Sequence, residues 1–152
     1  MADIISVVWG GMRFLIELVF KRKQRRNDEI NLRLEAYPKR VAVFKSTQEF
    51  LSRAWTDKHA SMQALSAKFL HGTSEARFLF GNELGDYLDS LYEGVDRHFH
   101  LETKLEIQGD SLVGAEKLAL QEKVFSSRYW ISQQNRQLPK RFAKHLDISA
   151  IR

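Results

Sequence analysis

The chain contains no cysteine, which excludes disulfides, thiolate metal sites and cysteine nucleophiles. Only two prolines, Pro38 and Pro139, interrupt it, so little stands in the way of long helices. No convincing alternation of apolar and polar residues marks a strand, and no internal repeat or low-complexity tract is present. The eight glycines never cluster into a phosphate-cradling loop, and neither a serine-nucleophile motif nor a zincin helix occurs. What remains is rich in strong helix formers and long charged stretches. This composition predicts an all-α chain.

Against that background the first twenty residues stand apart. Residues 2–20 read ADIISVVWGGMRFLIELVF, and the polar or very small residues Asp3, Ser6, Gly10, Arg13 and Glu17 recur at steps of three and four. On a helix they form one narrow line, continued by Lys21 and Gln24. At 1.5 Å per residue the apolar stretch covers roughly 27 to 30 Å, about the thickness of a bilayer core. Three readings fit such a helix. It spans a membrane within an oligomer, its stripe facing a lumen or a neighbour; it lies in the membrane plane; or it is buried in a soluble oligomer. The narrow stripe favours the first, because in-plane helices carry a broad cationic face and intramembrane charges face a bundle interior or water. Ala2, Ser6 and Gly10 also form a small-xxx-small run suited to close helix approach.

Lys21, Arg22, Lys23, Arg25 and Arg26 follow at once and supply most of the excess charge of +5. If the helix spans, the positive-inside rule puts the N-terminus outside and the main domain in the cytoplasm. The cluster then faces lipid headgroups. Because it lies after the apolar run, and Arg13 and Glu17 interrupt that run, a cleaved signal peptide is not expected.

The division expected is a membrane helix with its basic flank over residues 1–26 and a cytosolic helical domain over 27–152. The fold expected is an N-terminal amphipathic or transmembrane helix followed by an antiparallel bundle of four to five helices. Asn27 and Asp28 are candidate caps for a helix starting near Glu29, whose apolar line runs Ile30, Leu34, Tyr37, Val41, Phe44, Leu51 and Trp55. Pro38 should kink or divide it. A short helix from Ser61 to His71 and a turn of helix through Phe80 follow. Gly81–Asn82 then allows a restart along Leu84, Leu88, Leu91, Val95, His98, Glu102 and Leu105. Residues 108–114 are the clearest loop. Helical sequence resumes at Ala115, carrying Leu118, Val124, Phe125, Tyr129 and Trp130, and Leu138–Pro139 is expected to start a last short helix.

Several segments resemble a known group. Arg40, Val41, Val43 and Phe44, then Phe50–Leu51, the stretch EARFLFGNELGDYL (75–88) and the closing YWISQQNRQLPKRFAKHL (129–146) are similar to a diffuse group of uncharacterised bacterial proteins. These carry an N-terminal membrane helix and a helical cytosolic domain, and the resemblance implies that architecture with no activity attached. More distantly, the plan resembles the HEPN-like membrane-pore accessory protein of RNA-targeting CRISPR systems. That likeness implies a ring-shaped pore in the bacterial inner membrane and a part in antiviral defence.

Chemistry is sparse. A HEPN ribonuclease needs an Arg and a His about four to six residues apart, the histidine for proton transfer and the arginine for phosphate charge. Arg53 and His59 have this spacing, but Ala54 departs from the polar residue such motifs carry next. With five histidines among many arginines, about one such pair is expected by chance. Asp96, His98, His100 and Glu102 suggest a metal cluster, yet on a helix only the i, i+4 pairs share a face, and two ligands do not make a zinc site. No metal, cofactor or catalytic group is therefore expected. Phe78 and Phe80 flank Leu79 in a run too apolar for one helix face, and one of them is a candidate for docking on a neighbouring subunit. Trp55, Tyr129 and Trp130 are expected in the core. Arg136, Lys140, Arg141, Lys144 and His145 form a second basic stretch, read as a solvated face. The partners expected are further copies of the chain and a lipid bilayer, with no protein or RNA partner identifiable. The reading is a membrane-anchored homo-oligomer acting as a pore or membrane-perturbing effector, with a membrane-tethered HEPN-like RNA-binding or RNA-cleaving dimer, or a non-catalytic scaffold, as alternatives.

Overall fold

The computed structural model describes the backbone of residues 2–56 and 61–147, and the side chains of those residues from 21 onward, Arg33 excepted. The described residues form five helices and no strand: α1 (Ala2–Thr56), α2 (Met62–Thr73), α3 (Ala76–Phe80), α4 (Asn82–Gln108) and α5 (Ala115–Leu146). The fold is an all-α bundle.

Contacts between the long helices give their directions. Arg40 meets His145, Phe44 meets Phe142, Ser52 meets Asn135 and Trp55 meets Arg128. One number rises as the other falls, so α1 and α5 are antiparallel. Glu83–Lys144, Tyr87–Gln134 and His98–Ser127 show the same for α4 and α5, and the close approach of Ser46 to Gly72 with the Glu49–Lys68 pair shows it for α1 and α2. The core between them is Val43, Phe50, Leu51, Leu65, Phe69, Leu84, Leu88, Leu91, Val95, Ile131, Leu138 and Phe142, with smaller neighbours. The α4 face is the line its spacing predicted, because a long 3.6-residue period leaves one choice of buried side.

Breaks between helices follow local chemistry. Ser61, extended at φ −69° and ψ 117°, accepts a 3.4 Å hydrogen bond from the Ala64 N–H and starts α2. Gly81 sits at φ 87° between α3 and α4, a conformation in which a Cβ is strained.

Three expectations about helix boundaries are corrected. Asn27 and Asp28 cap nothing, since α1 runs through them; the Lys, Arg and Gln residues before them are good helix formers that carry the helix on. Pro38 neither ends nor divides α1. It cannot donate to the Leu34 carbonyl, but Leu34 and Pro38 are both exposed, a setting in which a lost helix hydrogen bond is cheap because solvent can replace it, and the half-buried Tyr37, Arg40 and Val41 hold the next turn. Pro139 likewise lies inside α5 rather than opening a new helix. There the buried Leu138 and Phe142 pin both sides of it to the core.

Burial brings further corrections. Leu34, Trp55, Leu118, Phe125 and Tyr129, all placed on core faces by spacing, are exposed. Trp130 does pack inward, so close to α4 that a Cβ on Gly94 would run into its ring.

Candidate functional site

The portion of α1 before the bundle is the first region with a functional geometry. Residues 21–29 are all exposed and helical, so Lys21, Arg22, Lys23, Arg25 and Arg26 form a basic, solvent-facing turn between the apolar N-terminal segment and the bundle. The side chains of Asp3, Ser6, Gly10, Arg13 and Glu17 lie outside the described residues. Among the described residues, no helix is long and apolar enough to cross a membrane.

Arg53 lies exposed in the last turn of α1, and His59 lies outside the described residues.

The acidic and histidine residues of α4 separate as helical geometry requires. His100 is exposed, with Nδ1 3.5 Å from Asp96 Oδ2. His98 faces the opposite way, 1% exposed, with Nε2 3.4 Å from Glu102 Oε1. No group of three or more metal-ligating residues forms among the described residues.

His98 instead joins a polar network that the spacing did not predict. Its Nδ1 lies 2.8 Å from Ser127 Oγ on α5, and the Ser127 hydroxyl is also 2.8 Å from the Val124 carbonyl. Ser127 has one proton for these two acceptors, and its choice sets the imidazole tautomer. Burial holds the His98 imidazole below its ordinary value; Glu102 opposes this and Arg128 adds to it. A serine, a histidine and a carboxylate are thus in line, but Ser127 sits inside a helix whose N–H groups are already bonded. No backbone donors remain there to hold an oxyanion. The network bridges α4 and α5 and satisfies a buried imidazole. Only a partner 29 residues away identifies it, so no local signal marks Ser127.

The two phenylalanines of α3 divide sharply. Phe80 packs edge-on against Phe142 and His145, with Arg40 over its ring. Phe78 is 92% exposed. Of the two docking candidates, only Phe78 has a free surface. In the second basic stretch, Lys144 pairs with Glu83 at 3.0 Å and Arg141 lies over the Tyr87 ring. Both cations serve the α4–α5 contact, and Arg136 and Lys140 remain exposed.

Compared with protein-family models, curated proteins and solved structures, the chain matches none.

Proposed function

We infer that this protein is a membrane-anchored homo-oligomer whose first helix is its membrane-active element, forming a pore or perturbing the bilayer, with the helical bundle on the cytoplasmic side. The observation supporting this reading is the continuity of α1. A single helix runs from Ala2 to Thr56, and its exposed basic turn at residues 21–26 separates the apolar segment from the first core residue, Val43. A cationic band at that position matches an anionic headgroup layer.

Asp3, Arg13 and Glu17 make the apolar segment too polar to cross a bilayer as a lone helix. The reading therefore requires several copies, with those side chains facing one another or water, as rings of charged side chains do in pores. The decisive experiment is ion flux from vesicles carrying the full chain. Arg13→Leu and Glu17→Leu should abolish flux while vesicle binding persists. Unchanged flux in both variants removes the lumen assignment, and failure of the parent chain to bind vesicles removes the membrane reading.

A further inference from the structure

Five exposed side chains draw one line along the outer face of α5. Leu118, Glu122, Phe125, Tyr129 and Arg136 follow one another at steps of four, three, four and seven, the rhythm of a coiled-coil seam with Ser132 in the gap. Leu118 is 68% exposed, Phe125 72% and Tyr129 57%. The line lies away from both neighbouring helices: α1 meets α5 through Arg128 and Asn135, and α4 meets it through Ser127 and Gln134. Large apolar side chains aligned on an exposed face mark an association surface.

The order of charges along the line selects what covers it. Glu122 precedes the aromatic pair and Arg136 follows it, and neither takes part in an ion pair among the described residues. A second copy laid parallel would set Glu122 on Glu122 and Arg136 on Arg136, which is repulsive at both ends. A second copy laid antiparallel, about a two-fold axis through Tyr129, sets each Glu122 against the other copy's Arg136. The axis falls there because 129 is midway between 122 and 136. It also brings the two Tyr129 rings together and lays Phe125 over the opposite Ser132–Gln133 turn. Such a contact is isologous and closes as a dimer.

We propose that the protein self-associates through this face of α5, antiparallel, with Tyr129 on the two-fold axis. A second consequence follows, and it rests on the membrane reading above. Within one chain α5 is antiparallel to α1, so a pair of antiparallel α5 helices sends the two first helices out at opposite ends. They cannot then enter one flat bilayer together. The α5 dimer and the membrane-inserted oligomer exclude each other, and the dimer is the form that holds the first helices apart.

Because the chain has no cysteine, single cysteines report the register directly. Full-length Glu122→Cys and Arg136→Cys chains, each checked for native helicity by circular dichroism, are mixed and oxidised. The expected product is the mixed disulfide, with Tyr129→Cys linking to itself and Glu122→Cys alone forming at least tenfold less. Equal or greater self-linking of Glu122→Cys would show a parallel seam and overturn the proposal, as would no linking or equal linking at all positions. The charge reversal Glu122→Arg should weaken the dimer at least tenfold, and Glu122→Arg combined with Arg136→Glu should restore it; failure of that rescue also overturns the register. Adding phosphatidylglycerol–phosphatidylcholine vesicles should lower the mixed disulfide at least tenfold as the protein binds. Binding with undiminished linking would overturn the exclusion. Absence of binding would overturn the membrane reading and leave the seam standing.

Discussion

The Arg128 guanidinium on α5 donates from Nη2 to the Trp55 carbonyl on α1 at 3.0 Å and lies over the Trp55 indole, 5.4 Å from its centre. The far end of the same helix pair repeats the arrangement in reverse. Arg40 on α1 donates from Nη1 to the His145 carbonyl on α5 at 3.4 Å, over the Phe80 ring at 5.9 Å. Each arginine meets carbonyls in the last turn of the opposite helix, the negative end of its dipole. The two contacts lock the sliding register of α1 against α5.

Removing one of these clamps should therefore be felt globally. Arg128→Met keeps much of the stem but loses the charged hydrogen bond and the cation–π contact, a cost of about 1–2 kcal/mol. The Arg128 Nε is buried without a hydrogen-bond partner, which keeps the cost below that of a fully satisfied guanidinium. Urea denaturation should show a lower midpoint at unchanged slope.

The α4–α5 approach depends on a missing side chain. Gly94→Ala puts a methyl group into the Trp130 ring, a rigid obstacle that must shift with its helix. Overpacking of this kind costs about 1–3 kcal/mol. The smaller ring of Trp130→Phe in the same chain should recover part of that loss, giving a non-additive double-mutant cycle by thermal denaturation.

The two phenylalanines of α3 should respond in opposite ways. Phe80→Ala opens a gap against Phe142 and His145 and should cost about 3 kcal/mol. Phe78→Ser removes no packing within the chain, so its melting temperature should hold or rise slightly. A Phe78 variant as unstable as the Phe80 variant would show that Phe78 is not a free surface.

The pH dependence follows from His98. Its folded-state value is depressed, first by burial, so the unfolded chain takes up a proton before the native chain does. Stability is then fully present above the unfolded imidazole value of about 6.5 and falls as pH drops below it, toward the depressed folded value. His145, depressed first by burial and then by Lys144 and Arg40, adds to this with the same sign, so His98→Gln should reduce the slope between about pH 7 and 5 and His98→Gln with His145→Gln should flatten it, measured by denaturation at several pH values. A slope unchanged by His98→Gln would assign the effect elsewhere. Below that range the exposed pairs Lys68–Glu49 and Lys144–Glu83, which hold their carboxyls below the ordinary value, weaken as those groups protonate.

Replacing Lys21, Arg22, Lys23, Arg25 and Arg26 by glutamine should weaken binding to anionic vesicles by about 1 kcal/mol per residue. The salt dependence of binding should shrink with it. The bundle itself should melt unchanged, because residues 21–26 are exposed. Equal binding to neutral and anionic vesicles by the parent chain would remove the headgroup role.

Local pattern determined the helical class, the buried face of α4 from Leu84 to His98, the start of α2 at Ser61 and the breaks at Gly81 and residues 109–114. These depend on period, capping and backbone freedom, all properties of a few neighbouring residues. Tertiary contact decided the rest. Pro38 and Pro139 each remove one hydrogen bond, and only the packing on either side shows whether that loss ends a helix. Phe78 and Phe80 are chemically alike, two residues apart, and what distinguishes them is the arrival of Phe142, His145 and Arg40 around Phe80. Tyr129 and Phe125 fall outside the core because α1 meets α5 on another face. Ser127 becomes the partner of His98 through the α4–α5 register alone. Each of these outcomes turns on which side chain arrives from far along the chain, and no local period carries that information.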